Sequence, residues 1–413
     1  MTSASQGMGA LFGNRFVQAI LLSGLFLQIG IWVRNFAVLL FVMDQTGGDP
    51  FAVSMISVAE FAPIFIFSFI GGTFADRWKP KRTMVWCDVL SAVSVFAVLL
   101  TLVFATWKAV FFATLVSAIL SQFSQPSGMR LFKTHVPGEL IQMGMSIYQT
   151  MFALFMVLGP ILGTFVYQHY GIQTAIFIMG VAFLLSAAVL LFLPADPAPS
   201  ENKPVTRLKE EMAAGFRYVL SKQVLSTLGG CFLTAGLALG LIQPLGVFLV
   251  TERLGLPKEN IQWLMTANGV AMIIGGVLAM TMSKSFKPQT MLVIGMIVSA
   301  AGMVVTGLST SLWLTLGAQF VSGLVLPAIQ IGINTMILSN TEESYVGRVN
   351  GILSPLFMGG MVLTMSMSGW LKSMFHIVAM YETAAVLFVI GVLVMLPLYR
   401  GGVRSEAGSP GEA

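Results

Sequence analysis

VQAILLSGLFLQIGIWVRNFAVLLFVM, residues 17–43, carries a single charged side chain, Arg34, in an otherwise uncharged and mostly apolar run. At about 1.5 Å per residue, a helix of this length crosses the roughly 30 Å of hydrocarbon in a bilayer. It is too long for the apolar core of a cleaved signal peptide, and no small-residue cleavage site follows it, so it reads as a permanent span. Outward from it, similar runs recur at about 51–75, 83–105, 109–128, 141–168, 173–193, 224–251, 261–283, 290–309, 312–338, 349–371 and 378–399. They are much longer than barrel strands and lack strict alternation, and lipid does not tolerate open sheet edges, so each is expected to be a helix. The fold class is therefore an all-α membrane protein with twelve transmembrane helices.

Composition agrees with the runs. The chain is 56% hydrophobic and 9% charged, against about 25% charged in soluble domains. A net charge of +5 does not make it a nucleic-acid binder, because the basic residues lie between the apolar runs and form no single patch. With the N-terminus inside, seventeen of the 22 Lys and Arg fall in inner segments, only Lys108, Arg253, Lys258 and Lys372 in outer ones, and Arg34 within the first span. This asymmetry places both termini in the cytoplasm of a cell whose plasma or inner membrane the chain spans. Cys87 and Cys231 lie in separate apolar runs and suggest no disulfide framework.

One long break divides the spans six and six. It begins Pro-rich after Leu193 and turns into a segment, Val205 to Leu220, in which Leu208, Met212, Phe216 and Leu220 recur at helical spacing among charges. The expected organisation is a six-helix bundle over 1–193, a cytoplasmic linker with an amphipathic helix over 194–223, a second bundle over 224–400, and a disordered tail over 401–413. The halves also repeat. Gly71-Gly-Thr-Phe-Ala-Asp76 with Lys79-Pro-Lys-Arg-Thr-Met84 has a counterpart in Gly275-Gly-Val-Leu-Ala-Met280 with Lys287-Pro-Gln-Thr-Met291, and Pro126 has one in Pro327. Duplicated helical bundles suit a transporter that rocks one half against the other around a midplane site.

The loop after the second span, Gly72-Thr-Phe-Ala-Asp76-Arg77-Trp-Lys-Pro-Lys81-Arg82, resembles the signature of the major facilitator superfamily. Asp44-Gln-Thr-Gly-Gly-Asp-Pro after span one, Gly159-Pro160-x-x-Gly163 in span five and Val346-Gly-Arg-Val349 before span eleven are similar to the twelve-span drug and siderophore exporter branch, whose members include drug:proton antiporters. The resemblance implies two pseudo-symmetric six-helix bundles and a conformational latch at Gly72, Asp76, Arg77, Lys81 and Arg82. The physics is independent of the resemblance: Gly72 permits close helix approach, Asp76 offers a negative charge to a helix N-terminus or a cation, and the basic residues anchor to anionic headgroups. Departures are Lys79-Pro80 where the signature has its second Gly, Phe155 and Thr164 at the ends of the span-five motif, and no Arg inside span four, Arg130 lying at its inner end.

Arg34, Glu60, Asp88 and Glu382 are the ionisable residues within spans. Each needs a partner or water, because an unpaired charge at the bilayer centre costs several kcal/mol. Glu60 lies level with Arg34 and is the candidate proton carrier, its charge depending on what surrounds it in each conformation; Asp88 is a weaker candidate. Neutral polar groups add Gln28 and Asn35 in span one, Gln149 in span five, Gln243 in span seven, and Gln330 and Asn334 in span ten. In the fold the resemblance implies, spans one, four, seven and ten line the substrate cavity.

Other classes fit less well. No Gly-Lys dipeptide occurs, so there is no phosphate-cradling Walker loop and no ATP-driven pump, and nothing suggests an enzyme, a cofactor or, with His135, His169 and His376 scattered, a metal site. The expectation is a monomeric, proton-coupled secondary exporter of an amphipathic drug or secreted metabolite. A lipid or lysophospholipid transporter is the alternative, and a non-transporting receptor or scaffold a remote one.

Overall fold

The computed structural model describes residues 13–75, 78–101, 107–136, 138–193, 208–283, 285–342 and 345–406, with side chains left aside at 68–75, 101, 138–143, 208–211 and 399–406. The first four spans are α1 (Arg15–Thr46), α2 (Pro50–Ala75), α3 (Pro80–Thr101) and α4 (Trp107–His135). A helix over Gly138–Leu191 follows. Its 54 residues would measure about 80 Å if straight, far more than one bilayer crossing. It is two spans: Gly171, at φ 75° and ψ −180°, breaks it into α5 (138–170) and α6 (172–191), between the fifth and sixth apolar runs. A glycine fits here because a side chain is strained at positive φ.

The turn from α1 to α2 shows how the sequence closes a hairpin of spans. Gly47 takes a left-handed conformation, its N–H capping Met43 O, and Gly48 is also at positive φ. Asp49 then accepts from the amides of Phe51 and Ala52 at 3.0 and 3.3 Å, capping α2, whose first residue is Pro50. Glycine ends one helix while acid and proline start the next. Tyr167 on α5 donates to Asp44 at 2.6 Å, fastening the C-terminal ends of α1 and α5 to each other.

The remaining elements are the linker helix α7 (Leu208–Ser221), α8 (Gln223–Ile242), α9 (Ile261–Met282), α10 (Pro288–Leu308), α11 (Leu312–Asn340), α12 (Val346–Met374) and α13 (Ile377–Glu406). Span seven runs on past α8 through a 3-10 turn at Gln243–Leu245, a helical turn at Gly246–Phe248 and a π turn at Leu249–Arg253. The last helix continues to Glu406, beyond the residue 400 at which the sequence ends the second bundle; residues 407–413 lie outside the described residues.

The chain forms two compact units, 1–203 and 204–413, which repeat one packing scheme. In the first, α1 packs on α5 and α6, α2 on α4, and α3 on α4 and α6; in the second, α8 packs on α12 and α13, α9 on α11, and α10 on α11 and α13. All are helices, and their outward faces expose residues such as Leu100, Val277 and Leu363, which water would not favour and lipid does. The result is a twelve-span, multi-pass membrane protein of two pseudo-symmetric six-helix bundles.

On α7, Met212, Phe216 and Leu220 are exposed, while Gly215 and Val219 turn inward. A Cβ on Gly215 would stand 3.1 Å from Arg348 Cβ, so the helix is seated closely on the start of α12. Tyr218 stacks on Tyr345 at 4.3 Å, and Arg348 caps that ring at 4.9 Å. The Val346-Gly-Arg-Val349 segment thus docks the linker helix, and Val349 enters the core of the second unit.

Candidate functional site

Arg34 sits in the middle of α1 and is buried, 6% exposed. Its Nε and Nη2 donate to Asn35 Oδ1 at 2.9 and 2.5 Å, and Nη1 donates to Ser117 Oγ on α4 at 3.0 Å. The Asn35 Nδ2 donates in turn to Glu60 Oε1 on α2 at 2.6 Å. The amide orientation follows from its neighbours, since the opposite one would set NH₂ against guanidinium and carbonyl against carboxylate. Glu60 and Arg34 do share a depth, as their positions in the sequence indicate, but they are not a direct ion pair. A neutral amide stands between them, and spans one, two and four meet at the cluster.

The other intramembrane ionisable groups separate. Asp88 on α3 is 2% exposed and bonds to Ser186 on α6, whereas Glu382, five residues into α13, is exposed. Of the neutral polar candidates, Gln28 is buried at 8% and Asn35 joins the cluster, while Gln149, Gln243, Gln330 and Asn334 are exposed on their own units. An exposed amide at span depth must meet water, ligand or a partner group, since lipid satisfies none of its hydrogen bonds. Asn268 instead donates to Gln319 O at 3.1 Å, linking α9 to α11.

The span-five motif has a steric function. A Cβ on Gly159 would fall 2.5 Å from the Trp32 ring, and one on Gly163 would fall 2.6 Å from Phe36 Cβ and 3.0 Å from Trp32 O. Span five therefore lies directly against span one, with Pro160 between the two glycines. Of the latch, Gly72 lies in the last turn of α2, and residues Asp76 and Arg77 lie outside the described residues. Lys81 donates to the carbonyls of Leu191, at 3.0 Å, and Leu193, fixing the start of α3 to the end of α6, and Arg82 is exposed. Arg130, near the C-terminal end of α4, donates to Trp78 O at 3.2 Å.

Sequence reasoning does not single out Ser117, Ser23 or Ser186. Buried serines are common in spans and usually bond to their own helix, so only the three-dimensional contacts distinguish these. Asn35 reads from the sequence as a cavity residue, and its bridging position depends on a side-chain rotamer that spacing does not reveal.

The profile of the Major Facilitator Superfamily matches residues 20–257 and 228–413. The chain belongs to this family. It is accordingly a secondary transporter and not an enzyme. Among relatives, it is 25% identical to the uncharacterized MFS-type transporter YkuC of Bacillus subtilis, over 86% of this chain and 85% of that one. It is 26% identical to the multidrug efflux pump Tap of Mycolicibacterium fortuitum, over 76% and 78%, and 23% identical to the enterobactin exporter EntS of Shigella flexneri, over 81% and 80%. The crystal structure of the nucleoside transporter NupG has the same fold, with a TM-score of 0.74 at 14% identity, covering 94% of this chain and all of that one.

Proposed function

We propose that the chain is a proton-coupled exporter of amphipathic small molecules, with both termini in the cytoplasm. The observation that carries this reading is the Glu60–Asn35–Arg34 cluster at span depth. With Glu60 ionised, the carboxylate balances the guanidinium through the amide. When Glu60 takes up a proton, Arg34 keeps an unbalanced charge, which a wetter conformation or an anionic group of the substrate would relieve. Proton binding thereby biases the conformational equilibrium, which is what coupling requires. The export direction and the breadth of substrate draw support from the names of Tap and EntS, an efflux pump and an exporter. Drugs and a secreted metabolite such as a siderophore belong to the same chemical class here.

Proteoliposomes containing the purified protein, a fluorescent amphipathic cation such as ethidium, and an imposed pH gradient test the coupling. Glu60→Gln is expected to abolish uphill transport and to keep downhill exchange, since the amide fills the same space and releases no proton. Gradient-driven accumulation by this variant would eliminate Glu60 as the carrier.

A further inference from the structure

A second buried carboxyl is built into the first unit in a different way. Asp88 lies eight residues into α3 from its inner end, Ser23 eight residues into α1, and Ser186 five residues before the end of α6. All three are buried, at 2%, 1% and 0% exposure. Ser186 Oγ donates to Asp88 Oδ2 and stands 2.7 Å from Ser23 Oγ. One hydroxyl thus joins spans one, three and six around a single acid.

Among the described side chains no countercharge contacts it. Among the described residues Asp88 forms no ion pair. On α3, Lys81 and Arg82 lie nearer the inner end, Lys81 being engaged with the carbonyls of α6, and Cys87 is the adjacent titratable group. On α4, Lys108 is at the outer end; Arg130, Lys133 and His135 are at the inner end, where Arg130 bonds to Trp78 O and His135 to Leu131 O. On α5 and α6 the described titratable side chains are Tyr148, Tyr167, His169 and Tyr170, the side chain of Glu139 at the start of α5 lying outside those described; Tyr167 is bonded to Asp44 and His169 to Phe165 O. On α1, Arg15 begins the helix and Arg34 is engaged eleven residues away from Ser23. A buried carboxyl with only hydroxyl partners is better suited to hold a proton than a permanent charge.

We propose that Asp88, Ser186 and Ser23 form a proton-binding site in the inner half of the first unit, separate from the Glu60 cluster, whose hydrogen-bond chain reverses when Asp88 is protonated. In the ionised form Ser23 donates to Ser186 and Ser186 donates to the carboxylate. A proton added to Asp88 Oδ2 makes that oxygen the donor to Ser186 Oγ. The Ser186 hydrogen then turns to Ser23 Oγ, and Ser23 donates to a carbonyl of its own helix one turn back, a bond open to any helical serine. No heavy atom has to leave its place, and no bond other than O–H is made or broken. The site takes a proton whether or not Glu60 carries the coupling proton, so the two assignments stand or fall separately.

Infrared difference spectroscopy of the purified protein across a pH titration tests this through the C=O stretch of a protonated carboxylic acid. The wild type and Glu60→Gln are expected to show a titrating band that Asp88→Asn lacks. In Ser186→Ala the band is expected at higher frequency, because the acid has lost its hydrogen-bond partner. A spectrum for Asp88→Asn identical to wild type would overturn the proposal, and, should that variant not fold, so would an unshifted band in Ser186→Ala. Sodium at constant pH is expected to leave the band unchanged; its disappearance on adding sodium would mark a sodium site and overturn the proton assignment.

Discussion

In the first unit the interior holds Arg34, Asp88 and the partly buried Glu60, each in a hydrogen-bonded cluster. The second unit buries instead a cluster of Leu, Met, Ala and Phe, including Leu225, Leu228, Met296, Met336, Phe388 and Met395. Its buried polar side chains among the described residues are hydroxyls: Ser299, Thr306, Ser309, Thr315 and Ser368. Helix contacts also differ in kind. Span five meets span one with Gly159 against the Trp32 ring and Gly163 against both Phe36 Cβ and Trp32 O. Span seven meets span eleven through glycines against main chain, where a Cβ on Gly236 would lie 2.2 Å from Phe357 O and one on Gly240 2.0 Å from Met361 O. Duplication has therefore kept the packing scheme while separating tasks: one unit buries charged side chains, whereas the described buried residues of the other are apolar or carry hydroxyls.

Four substitutions press on this contrast, in order of expected effect. Arg34→Gln removes the cation from a buried network, and breaking such a network from one side costs about 3–5 kcal/mol. Its apparent melting temperature in detergent should fall sharply, and Glu60→Gln added to it should recover part of the loss as a double-mutant coupling. Additive losses would show that the Asn35 bridge does not couple the two charges. Next, Gly240→Ala should destabilise by about 1–3 kcal/mol, the range for overpacking. Gly159→Ala should cost less, because an indole ring is easier to displace than a main-chain carbonyl; equal melting shifts would remove the distinction between the two contacts. Smallest is Lys372→Gln in the second unit. Lys372 pairs with Glu252, whose side chain is 44% exposed, and such pairs are worth about 0–1 kcal/mol. A melting shift approaching that of Arg34→Gln would mean that charge is as important to the second unit as to the first.

Much of the architecture was legible because lipid imposes a simple rule: a span must be long, apolar and helical. The twelve runs follow from that rule, and the repeat of the halves from matching segments such as 71–84 and 275–291, whereas Gly171 as the break between the fifth and sixth runs came from the structure. The site was legible only in part. Depth along a helix comes from counting residues, and it brought Arg34 level with Glu60. Rotation and rotamer do not come from counting, and they decide that Asn35 lies between the two and that Ser117 completes the guanidinium's contacts. Asp88 was visible as an ionisable residue, but Ser186 and Ser23 were two serines among many. The exposed Gln149, Gln243, Gln330 and Asn334 were recognisable as polar, while the sequence left open which of the polar groups would be buried, as Gln28 is.

Span seven has a consequence for how the chain tolerates change over time. Along α8 the buried positions, among them Leu225, Leu228, Gly229, Cys231, Gly236 and Gly240, leave other faces open. From Pro244 in the 3-10 turn to Val250 in the π turn every residue but the partly buried Gly246 is buried. A helix enclosed on every side has no neutral face on which substitutions can accumulate. Two parts of one span thus drift under different rules: α8 can vary along its open faces, whereas the segment from Pro244 to Val250 can change only together with the neighbours that enclose it.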